Sequence, residues 1–269
     1  MCRSVLPLLV TLSPALLLLL PDYTNTQEEH WKDYKYGRQQ DSELPDKKEF
    51  CSWKCLLFTL QWPGAFCQSL HQPSVCLIPQ NVNNWTIHGL WPQGVMNCCS
   101  CWPMFKSDVQ ELEAELDEHW PSLLESQSSF HFWRDEWLKH GVCAACVEGM
   151  NSPLRYFQIN LKLRAQFDIH KLLEDAHISP SCDRPYKLSE VQQALVPQLG
   201  EKLHIQCVTD KKEREVWFQV KVPLSHNLTV GCDHHGNTKP PPPHGHPCPP
   251  DTPFYYFPID HQQPQTPCG

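Results

Sequence analysis

Trp85-Thr86-Ile87-His88-Gly89-Leu90-Trp91-Pro92 decides how the rest of the chain is read. Successive side chains of an extended strand point to opposite faces, so Thr86 and His88 share one side and Trp85 and Ile87 the other. An imidazole can then face a cleft while its apolar neighbours hold the strand in a core. Upstream, residues 56–62 carry a second strand pattern. Downstream, Val216, Phe218, Val220 and Val222 alternate with Trp217, Gln219 and Lys221, which reads as a half-buried strand. Helix starts lie between them. Ser107 with Gln110 forms a capping box for a helix that Pro121 closes, Ser152 followed by Pro153 opens another, and Ser189 with Gln192 opens a third. Residues 130–142 make a further helix, ended by Gly141. Strands and helices do not alternate regularly, and no internal repeat is found. The expected fold class is α+β, an antiparallel β-sheet core with packed helices, rather than a doubly wound parallel sheet.

The last of these helices holds a second dense stretch, Phe132-Trp133-Arg134-Asp135-Glu136-Trp137-Leu138-Lys139-His140-Gly141-Val142-Cys143. Glu136 precedes Lys139 by three residues and His140 by four, so all three share one helix face, with Asp135 at its margin. If this helix packs beside the first strand, two imidazoles, an ammonium and a carboxylate converge. Such a set suits cleavage of RNA without metal. A base takes the proton of the ribose 2′-hydroxyl, an acid protonates the departing 5′-oxygen, and positive charge stabilises the phosphorane-like transition state. Imidazole titrates at about 6.5, so a neutral and a protonated histidine coexist in mild acid.

Composition sets the setting for this chemistry. The chain has 269 residues, 41% hydrophobic and 19% charged, enough for one large domain or two small ones with a core. Acidic residues outnumber basic ones 30 to 22, giving a formal charge of −8, which excludes nucleic-acid binding through bulk positive charge. Contact with RNA must be local. Fifteen cysteines point to an oxidising compartment. Arg3 and the apolar run over residues 5–20 read as a signal peptide over 1–24; the run is too short for a bilayer and holds Pro7 and Pro14. Its removal takes Cys2 and leaves an even fourteen cysteines. Residues 25–50 form an extended lead-in and 51–237 the catalytic domain. Residues 238–269 are Pro-rich, yet Phe254, Tyr255, Tyr256 and Phe257 carry enough apolar weight to pack partly on the domain.

Both dense stretches resemble the signatures of the ribonuclease T2 family, secreted or lysosomal acid endoribonucleases. The first signature matches at all eight positions of residues 85–92, and the likeness spans residues 53–257, beginning with Phe58-Thr59-Leu60-Gln61-Trp62-Pro63 and ending near Phe254-Tyr255. The resemblance implies an endonuclease that acts on single-stranded RNA and leaves 2′,3′-cyclic phosphate ends, with no metal or cofactor. It implies no action on DNA, no membrane attachment after signal cleavage, and a monomer. By the same resemblance His140 is the general base and His88 the general acid. Glu136 and Lys139 would stabilise the transition state, and Trp91 would offer either a stacking surface for a base or core packing. One position departs. Asp135 stands where the family's helix carries a histidine associated with holding the substrate phosphate. A carboxylate there repels a phosphodiester and would raise the pKa of a neighbouring histidine, so the enzyme is expected to be weakened or acid-shifted. The alternative is a catalytically impaired family member with an RNA-binding or extracellular signalling role.

The resemblance also implies the bridges Cys67–Cys76, Cys98–Cys143 and Cys207–Cys248. Cys232 matches half of another family bridge whose partner position falls near Lys221, so it pairs elsewhere or stays reduced. The partners of Cys51, Cys55, Cys99, Cys101, Cys146, Cys182 and Cys268 stay open. The cluster Cys98, Cys99, Cys101, Cys143 and Cys146 also has spacing for zinc or a redox pair, but disulfides suit a secreted chain better. His244, His246 and Cys248 in the tail read as a solvated loop in preference to a metal site. Asn227 and Asn84 head glycosylation sequons.

Overall fold

A computed structural model describes residues 52–70, 76–233 and 245–269, so His244 lies outside them. The signal peptide over 1–24, the lead-in over 25–50, Cys51 and the run Pro240 to Pro243 lie outside the described residues. In chain order the elements are β1 (Cys55–Gln61), α1 (Pro63–Phe66), β2 (Thr86–Pro92), α2 (Glu113–His119), α3 (Ser129–Glu136), a π-helical turn (Trp137–Gly141) and α4 (Val142–Ala144). There follow α5 (Pro153–Gln166), α6 (Ile169–Asp175), β3 (Pro185–Tyr186), α7 (Leu188–Leu199), β4 (His204–Thr209), β5 (Glu215–Ser225), β6 (His246–Pro247) and β7 (Phe254–Tyr255). The strands form one sheet in the order β2-β1-β5-β4-β6, with β7 set against β5 and β3. The class is α+β, and the pairing is antiparallel except where β7 runs parallel to β5 at Val216 and Tyr255.

Several local expectations are corrected. β5 is not half-buried: Trp217 and Gln219 are as buried as Val216, Val220 and Val222. It is the central strand, and its second face is covered by the tail, where the Tyr256 and Phe254 rings lie 5.1 Å and 6.0 Å from that of Trp217. The capping box at Ser107 does not form. Two 3₁₀ turns, Lys106–Asp108 and Gln110–Leu112, precede α2, and Asp108 accepts from the Phe105 N–H. Nor does Ser189 cap α7, which starts earlier, with the Glu190 carboxylate accepting from the Lys187 N–H. Ser152 does cap α5, accepting from the Arg155 N–H. Gly141 does not end its helix; the chain passes through the π turn and continues into α4.

Four described residues of the tail, Cys248, Phe254, Tyr256 and Phe257, are buried. Phe254, Tyr256 and Phe257 are within 1% of full burial. Tyr256 accepts at its hydroxyl from Trp85 Nε1 at 3.0 Å, and the Phe257 carbonyl accepts from Trp62 Nε1 at 2.7 Å. Gly64 lets this crossing happen, because a Cβ there would lie 2.7 Å and 2.8 Å from the carbonyl oxygens of Pro258 and Phe257. Among the described residues the structure joins Cys55–Cys232, Cys67–Cys76, Cys98–Cys143, Cys99–Cys101, Cys182–Cys268 and Cys207–Cys248. Cys232 thus pairs elsewhere, with Cys55. Cys143 bonds Cys98 and not Cys146, which removes the redox-pair reading of those two. Cys248 is likewise bridged, and His246 bonds Glu215 at 2.7 Å. No helix of the described residues is long and apolar enough to cross a membrane.

Candidate active site

β1 and β2 supply the floor of the site. Their register runs Thr59 to Gly89 and then Leu60 to Ile87, so His88 is the extra residue of a bulge. A bulge re-aims the residue it inserts, and the direction of the His88 ring is therefore set by this irregularity rather than by alternation with Thr86. The half-buried His88 ring receives three neighbours. Gln219 of β5 reaches across β1 to place its amide nitrogen 2.7 Å from His88 Nδ1. Trp91 meets the imidazole edge-on at 5.0 Å, and Phe132 lies 6.0 Å away. The strand is also tied from behind: Trp133 Nε1 donates to the Trp120 carbonyl at 2.6 Å, and Trp120 Nε1 donates to the His88 carbonyl at 3.1 Å.

α3 and its π turn bring the second set. Capped by Ser128, α3 buries Trp133 and Glu136, and the wider π turn buries Trp137 and His140 while leaving Lys139 exposed. The carbonyl of Lys139 accepts from the Asn97 N–H at 2.9 Å, in the loop that Cys98–Cys143 clamps to α4, directly after the turn. Glu136 reaches the floor above Gly89, where Trp91 Nε1 donates to its Oε2 at 2.7 Å. A Cβ on residue 89 would occupy the space of both groups, so only glycine fits there. The Trp91 ring then lies 5.3 Å from that of His140, tilted by 33°. One indole is flanked by both imidazoles.

Burial sets the charge states. Desolvation pushes the Glu136 carboxyl up to about 7, opposed by the Trp91 hydrogen bond and the Lys139 charge and assisted by Asp135. Desolvation, with Lys139 and His88 adding to it, pushes His140 down to about 3. Its buried Nδ1 has no hydrogen-bond partner among the described residues, so no acceptor offsets this. Beside His88 opens an apolar cavity of about 270 Å³, lined by Gln61, Ser122, Leu124, Gln127, Phe132 and Phe218 among others.

His88, Trp91, Glu136, Lys139 and His140 therefore lie together. Asp135 sits outside, exposed at the rim, where its Oδ2 accepts from Gln127 at 3.0 Å and its Oδ1 is 3.9 Å from Arg134. Its charge helps to raise the Glu136 carboxyl and has no part in the lowering of His140. Gln219 is a site residue that sequence reasoning missed; the signal was a polar side chain in a strand buried on both faces. Asn227 is exposed at a turn, while Asn84 is half-buried with its side-chain oxygen accepting from the Trp85 N–H.

Comparison with known proteins adds the following. A family model described as the Ribonuclease T2 family matches residues 53–237. Ribonuclease Oy of Magallana gigas is 32% identical over 216 residues, spanning 77% of this chain and 97% of its own. The crystal structure of human RNase T2 superposes with a TM-score of 0.62 at 29% identity, covering 77% of this chain and 99% of that one. RNase NT in complex with 5′-AMP gives a TM-score of 0.64 at 27% identity over 77% of this chain and 98% of that one.

Proposed function

The chain belongs to the ribonuclease T2 family and is an RNA endonuclease; from that premise we propose that it cleaves single-stranded RNA by metal-independent transphosphorylation, His140 and His88 exchanging protons across the scissile phosphodiester. The observation that carries this reading is the pair of imidazoles flanking Trp91, at 5.0 Å and 5.3 Å, with a buried carboxyl on the same indole.

His140 is kept neutral above about pH 3 and is free to take the 2′-hydroxyl proton. The released oxygen attacks phosphorus, and the 5′-oxygen leaves with a proton from His88. The Gln219 amide offers a donor at one end and an acceptor at the other, so by turning over it can hold His88 Nδ1 in either protonation state. Below pH about 7 Glu136 is uncharged, which lets a phosphodiester approach without repulsion. Lys139 supplies the positive charge. An arriving phosphate has the opposite sign to Lys139 and raises the basicity of His140 when it is needed. The cavity beside His88 receives one of the two bases flanking the cut. Trp91 serves chiefly to fix Glu136 and His140, since its N–H and one side of its ring are engaged.

The 2′-hydroxyl nucleophile excludes DNA as a substrate. Six disulfides among the described residues suit the secretory pathway, secreted or lysosomal, with Asn227 the better glycan acceptor. The protein acts as a monomer with no cofactor. Asp135 supports a second reading, an impaired member that binds RNA or signals without turnover. Incubation with homopolymeric RNA in EDTA separates the two. Products with 2′,3′-cyclic phosphate ends are expected, DNA and 2′-O-methyl RNA stay intact, and His88→Ala abolishes turnover. Loss of cleavage on chelation, or cutting of 2′-O-methyl RNA, would overturn the mechanism; RNA affinity without product would establish the second reading.

A further inference from the structure

We infer that Lys221 is a substrate-binding residue that takes the phosphate next along the RNA from the scissile one, on the far side of Trp91 from Glu136. This rests on the endonuclease reading and extends it to a subsite that only a longer RNA fills.

The sheet register places the residue. Gly89 of β2 pairs with Thr59 of β1, Thr59 with Lys221 of β5, and Lys221 with His204 of β4. Directly opposed residues of an antiparallel sheet present their side chains to one face. The direction in which a side chain on Gly89 would point is filled by the Glu136 carboxyl and the Trp91 indole. Lys221 therefore stands on the face of the site, two strands along, roughly 10 Å away at the level of the backbone. Its Nζ lies 5.8 Å from the centroid of the Trp91 ring, so a single indole separates it from Glu136.

The surroundings of Lys221 lack the anion that its charge calls for. The side chain is largely desolvated, and burial alone lowers its pKa. Among the described residues no carboxylate lies within ion-pair distance, and its register partner His204 is lowered by burial and by the Lys221 charge. A cation drawn out of water without a counter-ion is costly, and the Trp91 ring face offsets this only in part. Next to it in the register, Thr59 is fully buried with its hydroxyl unpartnered among the described residues. An ammonium on the site face offers donors to phosphoryl oxygens. In a chain of net charge −8, a polyanionic substrate needs such local cations.

Every internal linkage of a homopolymer is anionic, whereas a dinucleoside monophosphate has one phosphate, the one that is cut. The test is Lys221→Met on both substrates, with Lys221→Gln giving the same contrast where the first is insoluble. On the homopolymer kcat/KM is expected to fall about tenfold, mainly through KM, the loss of one charge-assisted contact. The loss on the dinucleoside monophosphate should be at least fivefold smaller. The slope of log kcat/KM against log salt should flatten by about 0.7 on the homopolymer, one phosphate contact fewer on a single strand. Lys221→Arg should restore most of both. Equal losses on the two substrates, or an unchanged salt slope, would make Lys221 a packing residue and overturn the inference. A wild-type protein that cuts neither substrate would instead sink the endonuclease reading.

Discussion

Glu136 and His140 are driven in opposite directions by the same burial, and this couples stability to pH. Glu136 is held above its ordinary 4.5, so its contribution is complete below 4.5 and is lost as pH rises through about 7. His140 is held below its ordinary 6.5, so its contribution is complete above 6.5 and is lost as pH falls through about 3. Between 4.5 and 6.5 the two slopes oppose each other and stability is flat. Glu136→Gln keeps an acceptor for Trp91 Nε1 and removes the buried charge, worth about 3 kcal/mol. Its Tm should exceed that of wild type at pH about 8 and match it at pH about 4; equal Tm differences at the two ends would refute the assignment. At the rim, Asp135→His exchanges a negative for a positive charge and should raise kcat/KM on a homopolymer roughly fivefold in mild acid, the size of one solvent-exposed charge contact. No change would show the position to be idle. The chemical types at 88, 136, 139 and 140 are legible in the sequence because they recur at fixed spacing. Their charge states are not, because burial depends on Trp91 and Gly89 arriving from another element.

The π turn is where reading by period fails. A pattern of 3.6 residues per turn finds the helix from its buried Trp133, Glu136 and Trp137, but it cannot register one wider turn, and it makes Gly141 an end signal. The structure gives Gly141 another task. Its φ is −61°, ordinary for a helix, and a Cβ there would run into the Trp137 indole. Helix propensity alone predicts that Gly141→Ala stabilises by about 1 kcal/mol. Overpacking costs about 1–3 kcal/mol and should win. Urea unfolding decides between them by sign, and a stabilised variant would mean that the indole moves aside freely. The same limit explains β5. Its alternation looks amphipathic until the tail covers Trp217 and the site residues His88 and Trp91 meet Gln219 and Lys221.

At the scale of the whole molecule, the strap over residues 245–269 closes the structure. Phe254, Tyr256 and Phe257 each contribute about 1.5–3 kcal/mol by burial, together a large part of the net stability of about 5–15 kcal/mol typical of a domain. A chain stopped after Pro253 should yield no cooperative unfolding transition. Removing only the Cys182–Cys268 bridge, which spans 86 residues, should spare the fold and lower its stability by about 4 kcal/mol. A truncated chain that melts like the full one would show the strap to be an ornament. Its four consecutive aromatics are visible in the sequence; its place against Trp62 and Trp85 is not, since those lie 195 and 171 residues from their partners in the strap. Translation runs from the amino end, so the histidines at 88 and 140 leave the ribosome long before the residues that complete the hydrophobic centre behind them. Until the strap has been made, the nascent chain carries the parts of a nuclease without being one.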